Sequence, residues 1–293
     1  MKNSPRAVIH DGAIVAASAF IGDYAVIYAG ARVEGGCVVQ GFTQIWDGVE
    51  LGACAQIGAG VVFGRPSGTS VEESSRIRVR AGARVGAGAV LEINVDIGEG
   101  AVVSPGAWVA QSVPAWAIVA GSPARITGYV ESRTAQSKSS IQSTLRPEVD
   151  TAKLGVGNVS LHRLKLVRDP RGDLCAGEIP SQVPFVPKRY FLVFNVPTEK
   201  ARGEHAHRAC HQFLTCVHGS CAVVVDDGKS RCEVTLDTPD LGIYLPPLIW
   251  GVEYKYSADA VLLVFASEHY DPDDYIRDYS EFLGALKTRD AAQ

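Results

Sequence analysis

Two histidines spaced two residues apart are the first candidates for chemistry in this sequence. His205 and His207 lie in the stretch RGEHAHRACHQFLTCVHG (202–219), which holds four of the chain's seven histidines. Successive side chains of a β-strand point to opposite faces, so in a strand these two imidazoles share one face. Two adjacent imidazoles can bind a transition metal with further ligands, or they can transfer protons near neutral pH. The neighbouring residues distinguish these two chemistries.

The other ligands of a metal site are missing from the places where they are expected. The HxH spacing, with a polar residue at 212 and a glycine at 219, resembles the first motif of the cupins. Metal-binding cupins place glutamate at the polar position and a further histidine in a later strand. Here the polar residue is Gln212, and the later strand LPPLIWGVEY (245–254) contains no histidine. Two imidazoles and one amide make a poor metal site, so we predict no metal and proton transfer by the histidines.

The elements around the histidines are short strands separated by Pro and Gly turns. Apolar runs such as KRYFLVFNV, CAVVVDDG and AVLLVFAS follow one another between residues 188 and 267. This pattern predicts an antiparallel jelly-roll barrel over residues 156–293. In the tail, Asp271 is a candidate N-cap, and Tyr275, Tyr279, Phe282 and Leu286 have helical spacing. We therefore expect a terminal α-helix that packs on the barrel.

The first half of the chain repeats every six residues. Aliphatic or aromatic residues recur at this spacing from Ile9 to Phe63 and again from Val79 to Val109, with small residues between them. Neither a helix of 3.6 residues per turn nor a two-residue alternation produces this period. A solenoid does, because each six-residue unit forms one flat side and three sides close a coil. We expect a parallel β-helix over residues 1–130, a connector at 131–155, and an all-β chain.

This half resembles the left-handed β-helix acyltransferases of the hexapeptide family. The stretch SVPAWAIVAGSPARITGY (112–129) is similar to the family's closing signature. The resemblance implies a trimer, acetyl-CoA as the acyl donor, and sites in the clefts between subunits that take an amine or hydroxyl acceptor. It also implies that Ser122, Pro123 and Arg125 border the acetyl-CoA.

Acetyl transfer to an amine requires the ammonium to lose a proton before it attacks the thioester. No histidine lies between His10 and His162, so the histidine base that many hexapeptide enzymes use is absent. The candidates that remain are Asp47, Glu92 and Asp96, with Asn94 as a polar orienting group. The alternative, which we favour, is that the bound substrate sheds its own proton without a protein base.

The second half resembles the sugar 3,4-ketoisomerases over residues 157–287. The resemblance rests on RGEHAH, on KRYFLVFNV before it, and on HGSCAVVVDDG and YDPDDYIRDYSEFL after it. These cupins convert a dTDP-4-keto-6-deoxyhexose into its 3-keto isomer. The resemblance implies that His205 and His207 are the acid/base pair. It further implies contacts to the substrate from Arg189, Tyr190, Arg202 and Gln212, with the two arginines on the diphosphate.

The two halves together resemble the bifunctional WxcM-type enzymes. An isomerase supplies a 3-keto sugar, a separate aminotransferase converts it into an amine, and the acyltransferase then acetylates that amine. Two other interpretations remain open from the sequence. The barrel could be a sugar-binding module without catalytic activity, or it could be a metal-dependent dioxygenase or epimerase. A trimer, or two trimers joined through the barrels, satisfies the symmetry expected of both halves.

Composition excludes several other classes of protein. The chain has 293 residues, a net charge of −4 and a hydrophobic fraction of 46%. These values argue against nucleic acid or an anionic membrane as a partner. The seven cysteines form no CxxC pair and the N-terminus lacks a signal-peptide pattern, so we expect free thiols in the cytoplasm.

Overall fold

The computed structural model describes residues 3–64, 76–130, 151–197 and 200–292. The chain divides into two compact units, Met1–Ser132 and Arg133–Gln293. Most of the expected connector, residues 131–150, lies outside the described residues, whereas Thr151–Lys153 form a strand of the second unit. No helix in the described residues is long and apolar enough to cross a membrane.

The first unit is a parallel β-solenoid built from very short strands. In chain order the strands are β1 Val8–Ile9, β2 Ile14–Val15, β3 Phe20–Ile21, β4 Val26–Ile27, β5 Arg32–Val33, β6 Val38–Val39, β7 Gln44–Ile45, β8 Val49–Leu51, β9 Gln56–Ile57, β10 Val62–Phe63, β11 Ile77–Val79, β12 Arg84–Val85, β13 Val90–Leu91, β14 Asp96–Ile97, β15 Val102–Val103, β16 Trp108–Val109, β17 Ala117–Gly121 and β18 Ala124–Tyr129. Through β16, every third strand pairs in parallel, so consecutive strands belong to three different sheets. The three-sided coil predicted from the six-residue period is confirmed.

The six-residue anchors form the core of this solenoid. From Ile21 to Phe63 and from Val79 to Val109, each anchor is no more than 3% exposed. Burying each such side chain stabilises the unit by roughly 1.5–3 kcal/mol. Ile9 is 40% exposed because β1 pairs with β4 on one side only. At the other end, the antiparallel hairpin of β17 and β18 closes the third sheet and buries Ile126.

The second unit is an antiparallel β domain. Its strands are β19 Thr151–Lys153, β20 Ser160–Arg163, β21 Lys165–Val167, β22 Leu174–Ala176, β23 Arg189–Phe194, β24 Arg202–His207, β25 Gln212–His218, β26 Cys221–Asp226, β27 Arg231–Leu236, β28 Leu241–Leu245, β29 Trp250–Tyr254, β30 Val261–Ala266 and β31 Tyr275–Ile276. One sheet has the order β19-β20-β28-β25-β30-β23, and a second has the order β27-β26-β29-β24-β31. Residues of both sheets share one apolar core. The predicted antiparallel, cupin-like domain is confirmed.

The C-terminal segment differs from the single helix expected over residues 271–287. Asp271 caps a short 3₁₀ helix, Pro272–Asp274, and Tyr275 lies on β31, where it pairs with His207 of β24. The α-helix α1 spans Tyr279–Ala292, and its first turn is capped by Asp278, which accepts from the amides of Ser280 and Glu281 at 2.8 and 3.0 Å. The helical spacing of Tyr275 was misleading because its backbone pairs with β24 instead.

Helix α1 is packed on the second sheet, as expected. Tyr279, Phe282 and Leu286 are buried, and the Trp250 ring lies 5.3 Å from Tyr279 and 5.7 Å from Phe282. The Tyr279 hydroxyl donates to Asp226 Oδ2 at 3.0 Å. These contacts attach the C-terminal segment, including Asp274 and Tyr275, to the barrel.

Candidate active site

A β-bulge on β24 aligns the candidate catalytic residues. Arg202 pairs with Glu253 and His205 pairs with Gly251 on β29, which leaves Glu204 as an extra residue between them. Gly203 and Glu204 both have positive φ, at 75° and 54°. Simple alternation would place Arg202 and His205 on opposite faces. The extra residue instead puts both on the face that Gly251 and Glu253 share.

The two imidazoles are in direct contact. Nε2 of His205 lies 3.1 Å from Nε2 of His207, so one of these nitrogens carries the proton between them. Nδ1 of His207 lies 2.7 Å from Oδ2 of Asp274. This arrangement assigns the Nδ1 proton of His207 to the bond with Asp274. Asp274 is itself held by the backbone amide of Ala209, which donates to its Oδ1 at 2.7 Å. The three side chains therefore form a connected His–His–Asp chain.

Burial keeps both imidazoles neutral at physiological pH. Desolvation is the main cause, and it lowers the pKa of His205 from 6.5 to about 4. The pKa of His207 is also lowered by burial, although the hydrogen bond and the charge of Asp274 act in the opposite direction. A neutral imidazole accepts a proton, so this pair is able to act as a base across the neutral range.

The histidine pair lies in a pocket lined by residues of both sheets. The lining residues are His205, His207, Cys210, Gln212, Leu245, Pro246, Ile249, Gly251 and Glu253. The predicted Gln212 is therefore beside the pair. Neither Cys210 nor Glu253 was predicted from the sequence as a site residue. Glu253 lies in the strand LPPLIWGVEY, which had been considered only for its lack of a histidine.

Two arginines lie close to His207. Arg189 Nη2 donates to the Tyr275 hydroxyl at 3.2 Å, and the guanidinium of Arg277 lies 4.4 Å from the centre of the Tyr275 ring. The positive charges of both arginines lower the pKa of His207. Within the described residues, the buried Nε of Arg189 has no hydrogen-bond acceptor. Arg189 was predicted, whereas Arg277 was missed because it follows the histidines by 70 residues.

Arg202 and Tyr190, the other two residues predicted to contact the substrate with Arg189 and Gln212, lie in different places relative to the histidine pair. Arg202 is exposed at the start of β24, on the same face as His205. Tyr190 is 68% exposed, and the alternation of β23 places it on the face opposite to Arg189 and Phe191. The structure of this chain therefore does not bring Tyr190 to the histidine pair, contrary to the expectation that it lines the pocket.

Among the described residues, one group of side chains of the kinds that bind metal ions lies close together. Atoms of His207, Cys210 and Asp274 lie within 4.8 Å of one another. Nδ1 of His207 and Oδ2 of Asp274 are already bonded to each other. The group is therefore a hydrogen-bonded imidazole–carboxylate pair with a neighbouring thiol.

The residues proposed for acetyl transfer lie along the solenoid and do not form one cluster. Glu92 Oε1 accepts from Trp108 Nε1 at 2.7 Å, and Asp96 Oδ1 accepts from Arg80 Nε at 2.8 Å. Asn94 is exposed with a φ of 65°, and Asp47 is half-buried. The parallel register aligns Glu92 with Trp46, the residue before Asp47, two coils away, which is a separation of about 10 Å.

The three residues predicted to border acetyl-CoA lie at the closing hairpin. Ser122 and Pro123 form the exposed turn between β17 and β18, and Arg125 is exposed on β18. Arg125 Nη1 donates to Gln111 Oε1 at 3.4 Å. These side chains are open to a ligand that approaches the end of the solenoid.

An antiparallel β domain with a histidine pair in its interior pocket defines a cupin-like protein. Residues 157–287 match the family described as FdtA, WxcM-like, C-terminal. The TDP-4-oxo-6-deoxy-alpha-D-glucose-3,4-oxoisomerase of Aneurinibacillus thermoaerophilus is 43% identical over 118 residues, which cover 40% of this chain and 85% of that protein. The chain therefore belongs to the WxcM-like C-terminal family.

Two further similarities concern a solved structure and the acetyltransferases. The sugar 3,4-ketoisomerase QdtA of Thermoanaerobacterium thermosaccharolyticum, solved with TDP, is 34% identical, covers 45% of this chain and 97% of its own, and has a TM-score of 0.44. A 2,3,4,5-tetrahydropyridine-2,6-dicarboxylate N-acetyltransferase of Clostridium perfringens is 44% identical over 62 residues, or 21% of this chain. The match spans about a quarter of that relative, 26% of its length.

Proposed function

We propose that this chain is a bifunctional nucleotide-sugar enzyme. Its second unit isomerises dTDP-4-keto-6-deoxyglucose to the 3-keto sugar, and its solenoid acetylates the derived dTDP-3-amino-3,6-dideoxyhexose with acetyl-CoA. The observation that carries the first activity is the His205–His207–Asp274 chain in the pocket of a domain that belongs to the WxcM-like family. The second activity is supported by the solenoid and its N-acetyltransferase relatives.

The isomerisation moves a proton from C3 of the sugar to C4. In our proposal a neutral imidazole of the pair removes the C3 proton, and the electron pair forms the C3–C4 double bond of an enediol. The same pair then returns a proton to C4, and the carbonyl appears at C3. Asp274 orients His207 and stabilises the imidazolium that forms transiently. The chemistry requires neither redox change nor metal.

The basic side chains near the pair are suited to the diphosphate. Arg189, Arg202 and Arg277 are the candidates, and the buried, unbonded Nε of Arg189 supplies a donor that an oxyanion would satisfy. Gln212 lies on the pocket wall, where its amide can bond a sugar hydroxyl. Tyr190 remains a prediction that the geometry of a single chain does not support.

For acetyl transfer, we favour a substrate amine that loses its own proton. Two of the candidate bases are engaged, since Asp96 is bonded to Arg80 and Glu92 accepts from Trp108. Asp47 and Asn94 remain available as polar contacts, and Ser122, Pro123 and Arg125 as contacts to acetyl-CoA. We further propose a cytoplasmic location, which suits the seven free thiols, and an aminotransferase that acts between the two activities.

The decisive experiment follows the C3 proton of dTDP-4-keto-6-deoxyglucose in deuterated water by NMR. We expect the protein to exchange this proton and to form the 3-keto isomer. His205→Asn should lower isomerisation by about 100-fold or more, because a positioned base contributes 10²–10⁴ in rate. Acetylation of the 3-amino sugar by the same variant should be unchanged.

Two outcomes would contradict this proposal. If neither the wild type nor the variant isomerises the 4-keto sugar, the barrel is a sugar-binding module without catalytic activity. If a strong chelator abolishes isomerisation and a divalent metal restores it, the barrel is a metal-dependent enzyme. Full activity in the chelator is the result that the proposal requires.

A further inference from the structure

One ionisable group of the pocket has no part in the histidine chain. Glu253 lines the same pocket as His205 and His207. It lies on β29 two residues after Gly251, which pairs with His205 across the sheet. Because alternate residues of a strand share a face, the carboxyl of Glu253 and the imidazole of His205 are on one face of the sheet.

Two glycines leave room for this carboxyl. A Cβ added at Gly203 would meet Glu253 Oε2 at 2.8 Å, and one added at Gly251 would meet Oε1 at 3.7 Å. The carboxyl therefore lies over both glycines, between β24 and β29. In the described part of the chain no side chain is hydrogen-bonded to it. Glu233, on β27, in contrast accepts from Tyr254 and Lys255 at 2.5 and 3.1 Å.

The surroundings make this carboxyl a weak acid. Burial is the main cause, and together with the negative charge of Glu204 it raises the pKa of Glu253 from 4.5 to about 7. Other charged and titratable groups surround it. They are Arg202, Glu204, His205 and His207 of β24, Cys210 before β25, Cys221 of β26, and Tyr256 after β29. A carboxyl in this state gains and loses a proton readily near neutral pH.

The proposed isomerisation needs a second proton carrier. Besides the transfer from C3 to C4, the oxygen at C4 must gain a proton and the oxygen at C3 must lose one. At the enediol stage an imidazolium holds the proton from C3, so that ring cannot accept the O3 proton. Three of the four ring nitrogens of the pair are engaged, since the two Nε2 atoms face each other and Nδ1 of His207 bonds Asp274.

We propose that Glu253 carries the proton between the two sugar oxygens; this inference rests on the proposed ketoisomerase activity. The protonated carboxyl donates to O4 as an imidazole takes the C3 proton and the C3–C4 double bond forms. The carboxylate then accepts the O3 proton as the C3 carbonyl forms and C4 receives the proton held by the imidazolium. Both Glu253 and the imidazole return to their starting states, so the reaction is balanced without a co-reactant.

The test compares Glu253→Gln with the wild type and with Glu233→Gln, a matched control on β27. The amide that replaces the carboxyl in Glu253→Gln keeps the shape of the side chain but cannot transfer a proton between oxygens. We expect isomerisation to fall by about 100-fold, in the range of a lost general acid–base group. Exchange at C3 should fall much less, because the amide still donates a hydrogen bond to O4 and stabilises the enolate that forms when the C3 proton leaves. The ratio of exchange to product should therefore rise by roughly tenfold or more. Glu233→Gln should match the wild type.

The pH profile supplies an independent readout. Since the protonated carboxyl starts the reaction, wild-type isomerisation should decline above about pH 7, and the decline should be absent in Glu253→Gln. Raising the folded pKa of a carboxyl also makes the folded state less stable as pH rises through that pKa. Glu253→Gln should therefore have a higher unfolding midpoint than the wild type at about pH 8.5, which a misfolded variant would not show.

The results separate this inference from the proposed function. Wild-type protein that neither exchanges the C3 proton nor isomerises the sugar would overturn both. Normal wild-type activity with an unchanged Glu253→Gln variant would overturn the role of Glu253 alone. A parallel loss of exchange and isomerisation, with an unchanged ratio, would also overturn it, because Glu253 would then only maintain the pocket.

Discussion

At the scale of single residues, the protonation of the histidine pair is set by two opposing influences. Burial removes water from both imidazoles and lowers their pKa values, and the carboxylate of Asp274 offsets this only for His207 through a hydrogen bond. His205 has no carboxylate bonded to it in the described residues, and its pKa is about 4. The two histidines are therefore chemically different although they belong to one short motif.

This difference predicts an unusual acid limit for isomerisation. The reaction needs a neutral imidazole, so kcat/KM should persist below pH 6.5 and fall only as the pH approaches about 4. A lowered histidine pKa also destabilises the folded protein as the pH falls from 6.5 towards about 4. Circular dichroism at each pH separates loss of activity from unfolding. A rate that already declines at about pH 6.5 in folded protein would contradict the predicted burial of the base.

At the scale of elements, the bulge of β24 is the feature on which the geometry depends. Gly203 has a φ of 75°, and an added Cβ would lie 2.7 Å from the carbonyl oxygen of Gly251. Gly203→Ala should therefore destabilise the barrel by about 1–2 kcal/mol from the backbone conformation alone, with the steric clash in addition. Isomerisation should fall because the bulge positions His205 opposite Gly251.

Gly284→Ala is the matched control for this substitution. Gly284 lies within α1, and a Cβ there meets nothing within 4 Å. Alanine in a helix interior is more stable than glycine by roughly 0.5–1 kcal/mol, so this variant should gain stability. Urea unfolding followed by circular dichroism measures both changes. Equal midpoints for Gly203→Ala and the wild type would show that the bulge tolerates a side chain.

The elements also show which features a sequence can predict. The solenoid was predictable because each anchor, such as Ile27 or Leu91, repeats a local pattern that needs no knowledge of distant residues. Asp274 was missed because it follows His207 by 67 residues, and only the pairing of β31 with β24 brings them together. The bulge at Glu204 was missed because strand alternation does not reveal an extra residue. Glu253 gave no signal of its own, since its acidity depends on burial.

At the scale of the whole molecule, each unit has its own core, and one sheet of the solenoid exposes apolar side chains. The sheet of β1, β4, β7, β10, β13 and β16 exposes Val8, Val62 and Trp108 at 47, 52 and 38%, and Tyr24 and Phe42 flank it. Exposed apolar side chains grouped on one face are typical of a contact between proteins. It is consistent with the oligomer implied by the resemblance to hexapeptide acyltransferases.

The oligomer can be tested by light scattering. We expect a mass of three or six times the chain mass of 31.2 kDa. Phe42→Glu, at a position that is 69% exposed, should lower this mass, because a charge would be buried in the contact. A wild-type monomer would contradict acetyl-CoA sites between subunits.

The position of Asp274 in the chain has a consequence for how the enzyme is made. Protein synthesis proceeds from the N-terminus, so the solenoid strands that the structure describes between Val8 and Tyr129 are translated before the barrel begins. The carboxylate that bonds His207 is added 67 residues after that histidine. A ribosome that stops anywhere between residues 208 and 273 thus releases a product that has the solenoid and both histidines but lacks Asp274. In such a truncated product His207 has lost the partner that orients its ring.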